Sequence, residues 1–147
     1  FVGQTIMFSA EVDGQWNIWK LDLGNDEIVQ VTKKGGYSVQ GEGRFIYFTK
    51  FNHHGLYKLD LTSSEESKVI GAFPIVGWRH WQLRGNSIYY LLGKQYFVID
   101  INSGNRQALK NFDDEKPNRC HLSFRQDLLA CEHVEFRTSN IWQLKWL

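Results

Sequence analysis

The stretch Ile28–Leu61, IVQVTKKGGYSVQGEGRFIYFTKFNHHGLYKLDL, decides how this chain folds. Phe45 to Thr49 and Leu56 to Leu61 each alternate apolar and polar residues, the period of half-buried strands. Between the runs lie Gly35-Gly36, Gly41-Glu42-Gly43 and Asn52-His53-His54-Gly55. At such places positive φ is cheap or side chains close local turns. The stretch therefore reads as one outer strand, Ile28 to Thr32, then a turn and three strands of about six residues each.

The rest of the chain repeats this unit. Ile18-Trp-Lys-Leu-Asp-Leu23 returns as Leu56-Tyr-Lys-Leu-Asp-Leu61, as Tyr96-Phe-Val-Ile-Asp-Ile101, and more loosely as Ile141-Trp-Gln-Leu-Lys-Trp146. The strands before them recur too, as Ile6-Met-Phe8, Ile46-Tyr-Phe48, Ile88-Tyr-Tyr90 and Leu128-Leu129. A period of about 40 to 45 residues with four short strands is the signature of β-propeller blades. Asp13-Gly14 between alternating runs is a hairpin signal. No window shows a helical apolar stripe free of Gly or strand alternation. The charged run Asp113 to Pro117 reads as a surface loop.

The fold expected is thus all-β, a partial β-propeller of about three and a half four-stranded blades. The boundaries are a partial first blade over 4–33, complete blades over 37–73 and 78–112, and a partial fourth over 119–147. Closed propellers usually have about four to eight blades. Either an N-terminal half missing from these residues closes the ring, or the arc stays open and a second copy pairs with its free strand edges. A homo-oligomer through open blade edges is the expectation for the isolated arc. The chain starts at Phe1, and the expectation is a fragment of a longer protein.

Composition narrows the function. With 17 basic and 16 acidic residues the formal net charge is +1, and no basic block exists to grip a phosphate backbone. No apolar run approaches the roughly 18 to 20 residues of a membrane helix. There is no nucleophile elbow, phosphate loop or dinucleotide glycine pattern. The reading is a non-catalytic chain with no cofactor and no metal, and no nucleic-acid contact of its own.

Some residues still invite a role. Trp78, His80 and Trp81, in the run WRHW, fall on the innermost strand of their blade. Alternation sets Trp78 and His80 on one side and Arg79 and Trp81 on the other. One side would face the channel and stack on a ligand or peptide, or the rings would pack between blades. Cys120 and Cys131 bracket one hairpin. With a two-residue turn at Arg125-Gln126 they form a hydrogen-bonded pair, α-carbons about 5.5 Å apart, which permits a disulfide or two buried thiols. His53-His54 reads as a solvated loop. Asp22, Asp60 and Asp100 belong to successive blades, and each is expected to cap the turn into the outer strand.

The run Gln30-Val-Thr-Lys-Lys-Gly-Gly36, then Gly43-Arg-Phe-Ile-Tyr-Phe-Thr-Lys50 and Gly55-Leu-Tyr-Lys58, is similar to the TolB-type propeller repeat. More narrowly it resembles the propeller of winged-helix transcriptional regulators of the CadC and ToxR kind. Trp81 followed by Ser87-Ile-Tyr-Tyr-Leu91, and the ending Leu122-Ser123, Leu128-Leu129 and Ser139-Asn-Ile-Trp142, extend the likeness over nearly the whole chain. It departs at Gly41-Glu-Gly-Arg44 and Phe124-Arg-Gln-Asp127, where the family has Ser-Pro-Asp-Gly, and at Tyr57, where Trp is common. The resemblance implies the C-terminal half of an exported propeller in a membrane-anchored regulator whose DNA-binding domain lies outside these residues. Its place would be the periplasm, or the cytoplasm if the parent lacks a membrane helix. Its partner would be a protein or small-molecule signal. The alternatives are a TolB-like periplasmic scaffold and the gating propeller of a prolyl-oligopeptidase-like hydrolase.

Overall fold

The protein is described by a computed structural model over residues 5–76, 80–112, 117–123, 128–135, 138–140 and 144–146. Every regular element among these residues is a β-strand, and all pairing is antiparallel. The chain divides into two compact units, Phe1–Trp78 and Arg79–Leu147.

In the first unit β1 (Thr5–Val12), β2 (Gln15–Asp22) and β3 (Ile28–Gln30) make a three-stranded sheet. The β1–β2 turn has Asp13 at φ 52° and Gly14 at φ 78°, two consecutive positive values, as a tight right-twisted hairpin requires. The second sheet runs β4 (Val39–Glu42), β5 (Phe45–Phe48), β6 (Leu56–Asp60) and β7 (Glu66–Ile70) in order. The alternation read from Phe45 onward is the burial pattern: Ile46 and Phe48 are fully buried, and Phe45 and Tyr47 only partly. Ile46 and Phe48 cluster with Ile18 and Leu59. Burying such a side chain contributes about 1.5–3 kcal/mol.

In the second unit β8 (Trp81–Arg84), β9 (Ser87–Leu92), β10 (Gln95–Asp100) and β11 (Arg106–Asn111) form a four-stranded meander. It is followed by β12 (Arg119–Leu122), β13 (Leu128–Glu135), β14 (Thr138–Asn140) and β15 (Leu144–Trp146). β14 pairs with the C-terminal half of β13 and β15 with its N-terminal half. Both lie on the edge opposite β12, so they make one interrupted third row, and no fourth row occurs among the described residues. Leu91, Tyr96, Phe112, Cys120, Leu122, Leu129 and Cys131 form the core here. Gln82 ties β8 to β12: its Oε1 accepts the Leu122 N–H at 2.7 Å and the Tyr96 hydroxyl at 3.4 Å. The charged run 113–116 lies outside the described residues, and Pro117 after it is buried.

The repeat extends to single atoms. Ile18, Leu56 and Tyr96, equivalent positions of the repeat, are all 0% exposed. The Asp22, Asp60 and Asp100 N–H groups donate to the carbonyls of Glu27, Glu65 and Asn105, always five residues on, at 2.9, 3.1 and 3.0 Å. Each aspartate's Oδ1 accepts backbone N–H groups of the turn it opens: Gly24, then Thr62 and Ser63, then Asn102 and Ser103. Four residues after each aspartate the backbone is left-handed, at Asp26 (φ 57°), Ser64 (φ 60°) and Gly104 (φ 71°). The three aspartates are therefore turn caps, as expected.

Three details differ from the sequence reading. β3 stops at Gln30 rather than Thr32, because the Thr32 Oγ1 takes the Ile18 N–H at 2.9 Å in place of a ladder carbonyl. His80 stands one residue before β8, its carbonyl accepting from the Leu91 N–H at 3.2 Å. The third concerns the cysteines. The Ser123 N–H donates to the Leu128 carbonyl at 2.8 Å, so these two residues are a hydrogen-bonded pair. Counting back along the register, Cys120↔Cys131 is a non-hydrogen-bonded pair, with α-carbons 4.1 Å apart. The expected hydrogen-bonded site rested on a turn at Arg125-Gln126, which lies outside the described residues; the pairing at Ser123 and Leu128 sets the opposite parity. The two cysteines are joined by a disulfide.

Candidate functional site

Antiparallel alternation brings three connections of the first unit to one end of its sheets. These are the β1–β2 turn, the β3–β4 connection and the β5–β6 loop. Between them opens a cleft of about 450 Å³ lined chiefly by Trp16, Lys34, Lys50, Phe51, His53 and Tyr57. That volume falls in the range of small-molecule sites, about 300–1,000 Å³.

A latch built from the motif Val31-Thr-Lys-Lys-Gly-Gly36 fixes the cleft's floor. The Thr32 hydroxyl, 1% exposed, donates to the Asn17 Oδ1 at 3.2 Å while accepting the Ile18 N–H. The same Asn17 oxygen accepts the Gly35 N–H at 3.2 Å, and the Gly36 N–H donates to the Trp16 carbonyl at 2.9 Å. Gly36 sits so close that a Cβ there would lie 2.8 Å from the Ile18 Cδ1 and the Thr32 Oγ1. This explains the glycine: the backbone must approach β2 this closely for Lys34 to border the same space as Trp16.

The wall is aromatic. The Tyr37 N–H donates to the Thr49 carbonyl at 2.7 Å, which holds Tyr37 beside the Lys50-Phe51 segment. Trp16 and Tyr37 pack edge to face with centroids 5.0 Å apart. Phe51 completes the triangle at 5.9 Å from Trp16 and 5.1 Å from Tyr37. Such pairs contribute about 0.5–1.5 kcal/mol each beyond burial. Phe51 nonetheless stays 45% exposed.

Cations border the wall. The Lys50 Nζ bonds the Glu66 Oε1 at 2.7 Å and lies 4.3 Å from the Tyr57 ring centroid, with the Lys68 Nζ at 5.2 Å. Lys34 is exposed, and among the described residues no carboxylate pairs with it. His53 lines the cleft, whereas the adjacent His54 turns its Nδ1 to the Phe73 carbonyl at 3.3 Å.

The residues singled out in the sequence fall elsewhere. Trp78 lies outside the described residues. Trp81 is 1% exposed and presents no ring face to solvent. His80 is half-buried; its burial, and next the charge of Arg119, push its pKa below the ordinary histidine value. Sequence reasoning passed over Trp16, Phe51 and Lys34. The signal available was the aromatic residues in or beside the turns; Trp16 is on β2 while Tyr37 and Phe51 lie in later connections, and they meet only once the sheets are packed.

No protein-family model matches the chain, and no curated protein does. Solved structures are similar to it. TolB from Acinetobacter baumannii superposes with a TM-score of 0.68 at 19% identity, over 91% of this chain and 36% of that one. A structure from a nidogen/laminin complex gives 0.66 at 14%, over 90% and 53%. An oligogalacturonate lyase from Vibrio parahaemolyticus gives 0.63 at 17%, over 90% and 43%. The chain thus spans between about a third and about half of each of these three structures. At these identities the likeness speaks for the fold, and the fold is that of a TolB-like β-propeller segment.

Proposed function

We propose that the chain is a receiving segment of an exported propeller, non-catalytic, in a membrane-anchored transcriptional regulator. The observation that carries the receiving role is the open aromatic cleft on the first unit. Its floor is fixed by the Thr32–Asn17–Gly35 latch, and Phe51 is held half-exposed among partner rings. Proteins do not keep a large ring uncovered at a built concavity without cost, and such sites are where ligands and partners dock. The regulatory context rests on the motif resemblance. Placement outside the cytoplasm is supported by the Cys120–Cys131 disulfide, since such bonds persist in oxidising compartments. The outer strand β3 has all three residues exposed, Ile28 at 59%, and this edge supports pairing with a second copy.

For such a signal to pass, the bound species must prefer one state of the regulator over the other. The test is a transcriptional reporter driven by the full-length protein carrying Phe51→Ala or Trp16→Ala. The expected outcome is loss of inducible output by tenfold or so, about 1.4 kcal/mol of coupling, at unchanged protein level. Unchanged output with either variant removes the receiving role from this cleft.

A further inference from the structure

We infer that the cleft takes a small ring-bearing carboxylate, its ring against Phe51 and Trp16 and its carboxylate toward Lys34. This deepens the receiving role proposed above and rests on it. Charge and shape select the class. Two lysines line the site, Lys34 and Lys50, and no carboxylate is among its lining residues; Glu66 is reached only through its bond to Lys50, and Lys68 lies over the Tyr57 ring. Lys50 is committed to Glu66 and to the face of Tyr57, and Lys68 to the same ring. The uncommitted positive charge is therefore that of Lys34, which is exposed and lines the same space as the rings of Trp16 and Phe51. A flat apolar face stacks on such a wall, and an anion placed at the lysine gains Coulomb energy that salt weakens. An uncharged ring gains only the first of these, and a cation is repelled by the second. The volume, about 450 Å³, suits one or two rings rather than a folded partner.

Two sources share this chemistry, an aromatic acid and a sugar acid. Isothermal titration of the purified full-length protein with phenylacetate, phenylacetamide, galacturonate and galactose separates them. The expected result is that one acid binds and its uncharged counterpart binds at least about tenfold more weakly, with the difference shrinking at high salt. Lys34→Gln should remove most of that preference, and Phe51→Leu should weaken acid and neutral forms alike. Lys34 is exposed, so its change leaves folding intact; Phe51→Leu gives up two ring contacts, and an unchanged circular-dichroism spectrum at the titration temperature checks that this variant is folded. Equal binding of charged and neutral probes, or no binding of either acid at about 10 mM, a Kd weaker than any useful site, overturns the inference. Binding in the calorimeter with an unresponsive reporter keeps this ligand class and removes the regulatory reading. A reporter that responds to Phe51→Ala while neither acid binds does the reverse.

Discussion

Thr32 shows how one hydroxyl sets a site. It ends β3, supplies Ile18 with its missing acceptor and orients the Asn17 carbonyl oxygen toward Gly35. Thr32→Val keeps the shape and leaves the buried Ile18 N–H unpaired, so it should cost about 1–3 kcal/mol in chemical denaturation. Thr32→Ser should recover most of that. Gly36→Ala should be destabilising by about 1–3 kcal/mol, because its Cβ meets two fixed neighbours at 2.8 Å. Gly71→Ala is the control: nothing stands within 4 Å of a Cβ there, and melting should not fall. The motif that carries the family resemblance is thus the latch. Its chemistry was not legible in the sequence, since Asn17 sits fifteen residues from its partner Thr32.

At the scale of the element, the turns opened by Asp60 and Asp100 carry a pH dependence. Hydrogen bonds from Arg44 hold Asp60 well below the usual carboxylate range, and the Ser103 N–H does the same, less strongly, for Asp100. Glu132 is likewise lowered, by its bond from Arg119. With folded values depressed, the unfolded chain binds more protons near pH 4, so this stability is complete above the ordinary carboxylate value and lost as pH falls through and below it. Melting temperature should decline from about pH 4 downward, and Asp60→Asn should flatten that decline. Strand existence and the turn caps were legible, because alternation and the recurring Asp are local signals. Element ends and the parity of the cysteine hairpin were not. They hang on which backbone group closes a loop, and a slip of one residue inverts every later pair.

For the whole molecule, the propeller repeat was legible in the sequence and the cleft was not. The blade pattern repeats in sequence, so each copy corroborates the others. The cleft is assembled from three connections that share no motif. The Trp78–Trp81 run drew notice by composition, and burial at Trp81 is what composition leaves unseen. The disulfide closes a short loop, eleven residues apart in sequence, inside the core of the second unit. Cys120→Ser with Cys131→Ser should cost about 3 kcal/mol in the chain-entropy view. The increase in hydrogen exchange should be confined to the second unit, around Arg119–Glu135. An equal rise across the first unit would show that the two units unfold together.

The six-residue turns Asp22–Glu27, Asp60–Glu65 and Asp100–Asn105 share one closure, one cap and one left-handed position, yet have only Asp in common at every copy. They are interchangeable cassettes. Grafting Asp100–Asn105 over Asp60–Glu65 replaces the left-handed Ser64 with glycine and should leave the protein as stable or slightly more so, by a few tenths to about 1 kcal/mol. A blade of this chain therefore accepts new cargo, such as a tag, a fluorophore site or a second binding loop, at the outer turn without disturbing the cleft, which lies at the opposite end of the strands.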